Sequence, residues 1–269
     1  VSCARCGRPV CPECMVSASV GFQCPDCVRG AAEQAPRQRT SFGGVLALGD
    51  GALVTKVLIG LNLLVFLLTE YVSRDWQVKL GLVSWAPLPG LRYGMAEGPQ
   101  EWYRLVTAMF VHGGLLHIAT NMFSLWVLGP QLERVLGRVR FVVLYLVSGI
   151  VGNALSFMLT AGPNQLFTVG ASGAIFGLLG ATAVLFRVRR VPMQPVIALL
   201  VVNLVITFSL KSMIDWRAHI GGLVAGAVIA AGMMYAPRAH RNLVQGLTTV
   251  AVLAVGLALV LLGMARLPG

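Results

Sequence analysis

The chain has 269 residues, 57% of hydrophobic type and only 12% charged, with a mean hydropathy of +0.78. A soluble domain carries about 25% charged residues, so most of this chain reads as shielded from water. Its net charge of +11 does not point to nucleic acid, because Lys and Arg fall in short clusters between apolar runs rather than along a basic, aromatic-studded stripe.

Residues 1–28 read as a Cys-rich module holding all six cysteines, paired as Cys3-x-x-Cys6, Cys11-x-x-Cys14 and Cys24-x-x-Cys27. Such pairs are zinc knuckles, and four thiolates complete one tetrahedral site. Six ligands do not divide into fours. Either one site uses four and two cysteines are spare, or a fourth pair precedes Val1. Metal is favoured over disulfides because this end reads as cytoplasmic and reducing. No cleavable signal pattern opens the chain. A start at Val1 reads as a start within a longer reading frame or at an alternative start codon. The module reads as contacting a protein partner or regulating the rest of the chain, rather than touching DNA.

Residues 29–51, with Pro36, Arg37, Arg39, Ser41, Gly43 and Gly44, read as a linker. A spanning helix needs about 20 mainly apolar residues. Seven such runs follow, at 52–72, 105–129, 139–160, 170–187, 193–210, 217–235 and 244–265. The expected fold is therefore an all-α, polytopic membrane helix bundle with seven transmembrane helices. Residues 52–235 form its core and 236–269 an additional C-terminal helix, read as a plain anchor. The segment 73–104 carries Trp76, Trp85, Tyr93 and Trp102, so it is an interfacial loop or an ordinary external one. Arginines cluster before the first run and after the second, fourth and sixth. That pattern puts the N-terminus in the cytoplasm and the C-terminus outside, although Arg74, Lys79, Arg92 and Arg104 break the rule.

Polar groups inside apolar runs are costly and point to function. Three places have them. Ser172 is bracketed by Gly170 and Gly173 and followed by Gly177 and Gly180. A lone membrane Ser bonds back to its own helix, but a Ser at a helix start lies beside free N–H groups suited to an oxyanion. His219 enters the sixth run, and Gly222 and Gly226 after it form a close-packing face. Taken alone, His219 is a buried, satisfied imidazole; beside a Ser it is the usual base. Asp215, one turn earlier, reads as a helix N-cap rather than a third catalytic member. In the second run His117 and Asn121 are four apart, on one helical face, and both can donate hydrogen bonds. A metal site at His112 and His117 is disfavoured, because no carboxylate follows before Glu133.

Together these motifs, in this order over about residues 52–235, resemble the rhomboid family of intramembrane serine proteases. The resemblance rests on Gly170-Ala171-Ser172-Gly173, on Ala218-His219-Ile220-Gly221-Gly222, and on the His112, His117, Asn121 series. It implies that Ser172 is the nucleophile and His219 the general base of a dyad. His117, Asn121 and the Ser172 N–H would form the oxyanion hole. His112 would brace the first loop and the site, and Gly170 and Gly173 belong to the signature around Ser172. Phe176 stands where many relatives have Tyr under the imidazole. Trp102 and Arg104 are similar to the family's Trp-Arg pair, with Tyr103 intervening. The implied activity is cleavage of single-span membrane proteins near the outer face of a bacterial plasma membrane, in contact with lipid and without a catalytic cofactor. The alternative is a catalytically silent rhomboid-like protein that binds membrane clients. The cysteine module resembles a cross-braced, B-box-like zinc finger. In that scheme Cys3, Cys6, Cys24 and Cys27 hold one structural zinc, and Cys11 and Cys14 hold a second with a pair that is missing here.

Overall fold

The computed structural model describes residues 1–34, 38–46, 49–84, 94–161, 167–210 and 214–267. Pro36, Arg37, Trp85, Arg92 and Tyr93 lie outside these. The chain divides into two units, Val1–Gln38 and Arg39–Gly269.

In the first unit a short antiparallel hairpin pairs β1 (Val16–Ser17) with β2 (Phe22–Gln23). Gly21, at φ +68°, makes the turn. Helix α1 (Pro25–Gln34) opens on Pro25, a residue that loses nothing at a first helical position because that N–H has no helical partner. Cys3, Val10 and Cys24 are buried at its centre.

The second unit begins its helices with α2 (Leu53–Leu67), extended by a π-turn over Leu68–Val72. Then come α3 (Asp75–Leu80), β3 (Leu82–Val83) and α4 (Arg104–Thr107), the last running into a 3-10 turn at Ala108–Phe110. Next are α5 (Leu115–Leu136), α6 (Arg138–Thr160), β4 (Phe167–Thr168), α7 (Ser172–Arg189), α8 (Gln194–Ser209), α9 (Trp216–Tyr235) and α10 (Arg241–Met264). Among the described residues five helices are long and apolar enough to cross a membrane, and the α4 to α5 region makes a sixth if its bent pair is one span. The 16 residues of α8 rise about 24 Å, short of a hydrocarbon layer of roughly 30 Å. The protein is a multi-pass helical membrane bundle.

The second expected span, 105–129, differs from the structure. Its first residues belong to a separate helical segment turned 81° from α5. The break falls at Gly113-Gly114, where Gly114 has φ +156° and extended backbone. At the other end α5 continues through Pro130 to Leu136. It does so despite Glu133, whose buried carboxylate accepts hydrogen bonds from Val54 N (2.9 Å), Thr55 N (2.9 Å) and Thr55 Oγ1 (2.8 Å). Glu133 thereby caps the otherwise uncapped start of α2, where N–H groups lack helical partners and favour negative charge. Hydropathy alone misreads such a charge as a loop signal.

The core centres on α7 crossing α9, and glycines set how close they come. A side chain on Gly222 would strike the Gly173 carbonyl, and one on Gly226 the Gly177 carbonyl. Gly180 meets the Leu223 carbonyl in the same way. Small residues at each crossing point thus bring the two backbones into contact, the main attraction available between helices in lipid. Helix α6 closes the third side, its Gly152 lying against the Ala218 carbonyl. Phe141, Leu144, Tyr145 and Phe157 of α6 are fully buried. Helix α10 packs through Gly256 on Val151 and Gly263 on Phe157. Leu64, Phe123, Trp126, Val205 and Leu257 remain exposed on the outer helix faces, as surfaces that meet lipid do.

Candidate active site

Ser172 is the first residue of α7, and the strand two residues before Gly170 helps to place it. β4 pairs antiparallel with β3, Leu82 opposite Thr168 and Val83 opposite Phe167. Gly170 N donates to Ala108 O at 2.8 Å, tying the same loop to the segment that leads to α5. Gly170 has φ +120°, a region that penalises any Cβ. A Cβ there would also lie 2.6 Å from His117 Nε2 and 3.8 Å from Ser172 Oγ. One methyl group would therefore reach both atoms: Gly170 keeps open the small space that they share. Ser172 is half-buried, and its Oγ makes no hydrogen bond among the described residues.

His219 lies in the first turn of α9 and is 5% exposed. Phe176 stacks flat on the imidazole, with centroids 4.1 Å apart and planes 16° from parallel. Phe176 is one turn after Ser172, so both share the face of α7 that meets His219. The residues beside the pair also touch, since a Cβ on Gly173 would be 3.3 Å from Ala218 O.

Thr207 of α8 decides the state of the imidazole. Its Oγ1 lies 2.9 Å from His219 Nδ1 and donates its only proton to Asn203 O at 2.7 Å. With that proton on Asn203 O, Thr207 accepts from Nδ1–H, and the neutral imidazole then carries no proton on Nε2. Thr207 is a residue that the sequence motifs do not single out. A signal is present, however: Asn203 and Thr207 are polar residues four apart inside an apolar run.

Asp215 does not orient the ring. Its Oδ1 accepts from Arg217 N at 3.1 Å, capping α9. Its Oδ2 accepts from Thr168 Oγ1 at 2.8 Å and from Ser156 Oγ. Asp215 thus fastens the start of α9 to α6 and to β4, the strand that leads into Ser172.

On α5, Asn121 Nδ2 donates to His117 O at 2.8 Å, one turn back, while its Oδ1 is buried without a partner. The His117 ring packs edge-on against His112 at 5.0 Å. His112 is fully buried, its Nδ1 3.3 Å from Phe110 O. Arg104, 2% exposed, donates to Val78 O (2.6 Å) and Gly81 O (2.8 Å) and pairs with Glu101. It pins α4 to the end of α3. Half-exposed Trp76 belongs to this region too.

In the N-terminal unit, Cys3, Cys6, Cys24 and Cys27 converge, with all four sulfurs within 4.8 Å of one another. Tetrahedral zinc, with Zn–S near 2.3 Å, requires sulfurs about 3.8 Å apart; Cys6 and Cys24 are at 3.7 Å. The Cys24 N–H points at Cys3 Sγ from 3.3 Å. That bond above all draws the Cys3 thiol down to about 6, toward the thiolate that a metal needs. These four residues are spaced to hold a metal ion. Cys11 and Cys14 are exposed and stand outside the cluster.

The Rhomboid domain family model matches residues 99–236. The chain belongs to the rhomboid family. The matched segment contains His112, His117, Asn121, Gly170, Ser172, Phe176, Thr207 and His219. Rhomboid protease GluP of Bacillus subtilis (strain 168) is 34% identical over 209 residues, 75% of this chain and 39% of GluP. YdcA of the same bacterium is 38% identical over 146 residues, 52% of this chain and 71% of YdcA. RHOMBOID-like protein 5 of Arabidopsis thaliana is 34% identical over 158 residues, 56% of this chain and 50% of that one. This rhomboid chain therefore spans about two fifths of GluP and half of the plant relative.

Proposed function

We propose that this rhomboid protein is an intramembrane serine endopeptidase that works through a Ser172–His219 dyad. The observation that carries this reading is the stack of Phe176 on His219 one turn from Ser172, together with a Thr207 acceptor that leaves Nε2 as the free base. Ser172 Oγ attacks the scissile carbonyl carbon and its proton passes to His219 Nε2. The resulting imidazolium stays anchored through Nδ1–H to Thr207. The oxyanion receives the Ser172 N–H at the start of α7, with the second Asn121 Nδ2 hydrogen and the His117 ring. His219 then protonates the leaving amine. Water, activated by the same Nε2, releases the acyl group and regenerates Ser172. His112 holds the His117 ring in place. GluP carries the name of a rhomboid protease, which favours an active enzyme over a silent client binder.

Substrates of this reading are single-span membrane proteins cut near the outer face of a bacterial plasma membrane, with the chain's N-terminus cytoplasmic and its C-terminus outside. The division proposed is a zinc module at 1–28, a linker at 29–51, a protease core at 52–235 and an added helix at 236–269. Zinc is the metal proposed for the four clustered cysteines, in a structural role, with a protein partner docking on that module. Catalysis needs no cofactor.

The deciding experiment uses purified protein in lipid with a single-span substrate and a fluorophosphonate probe. Ser172→Ala should abolish both cleavage and labelling while the melting profile is unchanged, and His219→Ala should abolish cleavage. Undiminished cleavage by Ser172→Ala would falsify the assignment.

A further inference from the structure

At the junction of α9 and α10, away from Ser172, a cavity of about 370 Å³ is lined by Arg39, Gly43, Arg238, His240, Arg241 and Asn242. Its wall is built rather than accidental. The buried Gln245 donates to Phe42 O (3.1 Å) and Met233 O (2.8 Å), clamping the 39–45 turn onto α9 and α10. Gln245 Oε1 also accepts from Arg140 Nε at 2.7 Å, and Asn242 Oδ1 from Arg140 Nη2 at 3.1 Å. Gly43, at φ +85°, allows this approach, since a Cβ there would lie 2.6 Å from Arg241 Cδ and 3.6 Å from Arg140 Nη2.

Charge in this pocket is one-sided. Among the described residues no carboxylate lines it. The ion pairs among those residues are Arg29–Asp26, Lys56–Asp50, Arg74–Glu70 and Arg104–Glu101. None involves Arg39, Arg140, Arg238 or Arg241. Arg241 Nε is buried with no hydrogen-bond partner, and such a charged donor is costly to leave unmade. The 24-residue helix α10 starts here without a side-chain cap, so its positive end adds to the field.

We propose that this pocket binds a phosphate group. Planar guanidinium forks match phosphate oxygens, and a bound anion relieves both the mutual repulsion of the arginines and the unpaired Arg241 Nε. The phosphate could come from an anionic phospholipid or from a soluble ligand. The pocket lies where the ends of two candidate spans, Trp216–Tyr235 and Arg238–Met264, meet, and basic residues at span ends suit anionic lipid headgroups. The proposal does not depend on the catalytic reading.

The test compares the full chain with Arg39→Gln/Arg238→Gln, both exposed positions, and with Arg241→Gln. Native mass spectrometry measures retention of phosphatidylglycerol against phosphatidylcholine, and melting shifts are read with inorganic phosphate. An unchanged size-exclusion profile and melting temperature without added phosphate report that each variant is folded. Wild-type protein should retain phosphatidylglycerol over phosphatidylcholine, and the variants should bind it about 10-fold or more weakly. A melting shift with inorganic phosphate alone, lost in the variants, supports the site with a soluble source. Equal retention of both lipids without any phosphate effect, or binding unchanged in folded variants, overturns the proposal.

Discussion

At the scale of single residues, the site depends on where one proton sits. Thr207 has a single hydroxyl hydrogen and gives it to Asn203 O, so His219 keeps its own proton on Nδ1 and presents Nε2 bare. In the proposed dyad Thr207 would take the orienting part that a carboxylate plays in a triad, without adding a charge. Replacing Thr207 with Val removes the acceptor at nearly constant volume. The kcat should fall roughly 10- to 100-fold with KM little changed, and Thr207→Ser should restore most of it. A loss that Ser does not rescue would mark Thr207 as packing only. Ser172 and His219 stood out in the sequence as candidates because polar groups are expensive to keep inside apolar runs, and their proposed roles came from the family resemblance. Thr207 did not stand out, since a Thr that bonds back to its own helix looks the same in sequence as one that also holds an imidazole. Asp215 was legible as a cap, and its ties to Ser156 and Thr168 became visible only once α6 and β4 lay beside it.

At the scale of elements, glycine spacing and one buried carboxylate do most of the positioning. Gly173 and Gly177 on α7 oppose Gly222 and Gly226 on α9, and this backbone contact brings the start of α7 to the first turn of α9. Those glycines were readable as packing faces suited to each other, but their register was not, because a small-residue stripe fits a matching neighbour at more than one offset. Glu133 shows the opposite case. Its charge reads as the end of a span, yet three donors at the start of α2 hold it inside the bundle. Glu133→Ala would strand those donors out of water. It should lower stability by roughly 1.5–3 kcal/mol, as a lost hydrogen-bonded charge does, seen as a lower melting temperature with labelling of Ser172 retained below it.

At the scale of the whole molecule, the cysteine module and the membrane bundle are separate units. Cys24→Ser removes one of the four converging sulfurs. Bound zinc, measured by elemental analysis, should drop from about one per chain to near zero, while fluorophosphonate labelling of Ser172 persists. If labelling disappears together with the zinc, the module is required for the protease fold. The sequence by itself determined the class of molecule, because a charge content this low leaves only a membrane bundle and Cys-x-x-Cys spacing declares its own chemistry. It also offered Ser172, His219, His117 and Asn121 as site candidates, because polar groups in apolar runs are costly and therefore few. The tertiary structure alone decided which residue touches the imidazole, where the second span bends, and that the arginines of two distant turns share one pocket. These depend on contacts between residues far apart in the chain, such as Phe42 with Gln245, and local pattern carries no record of them.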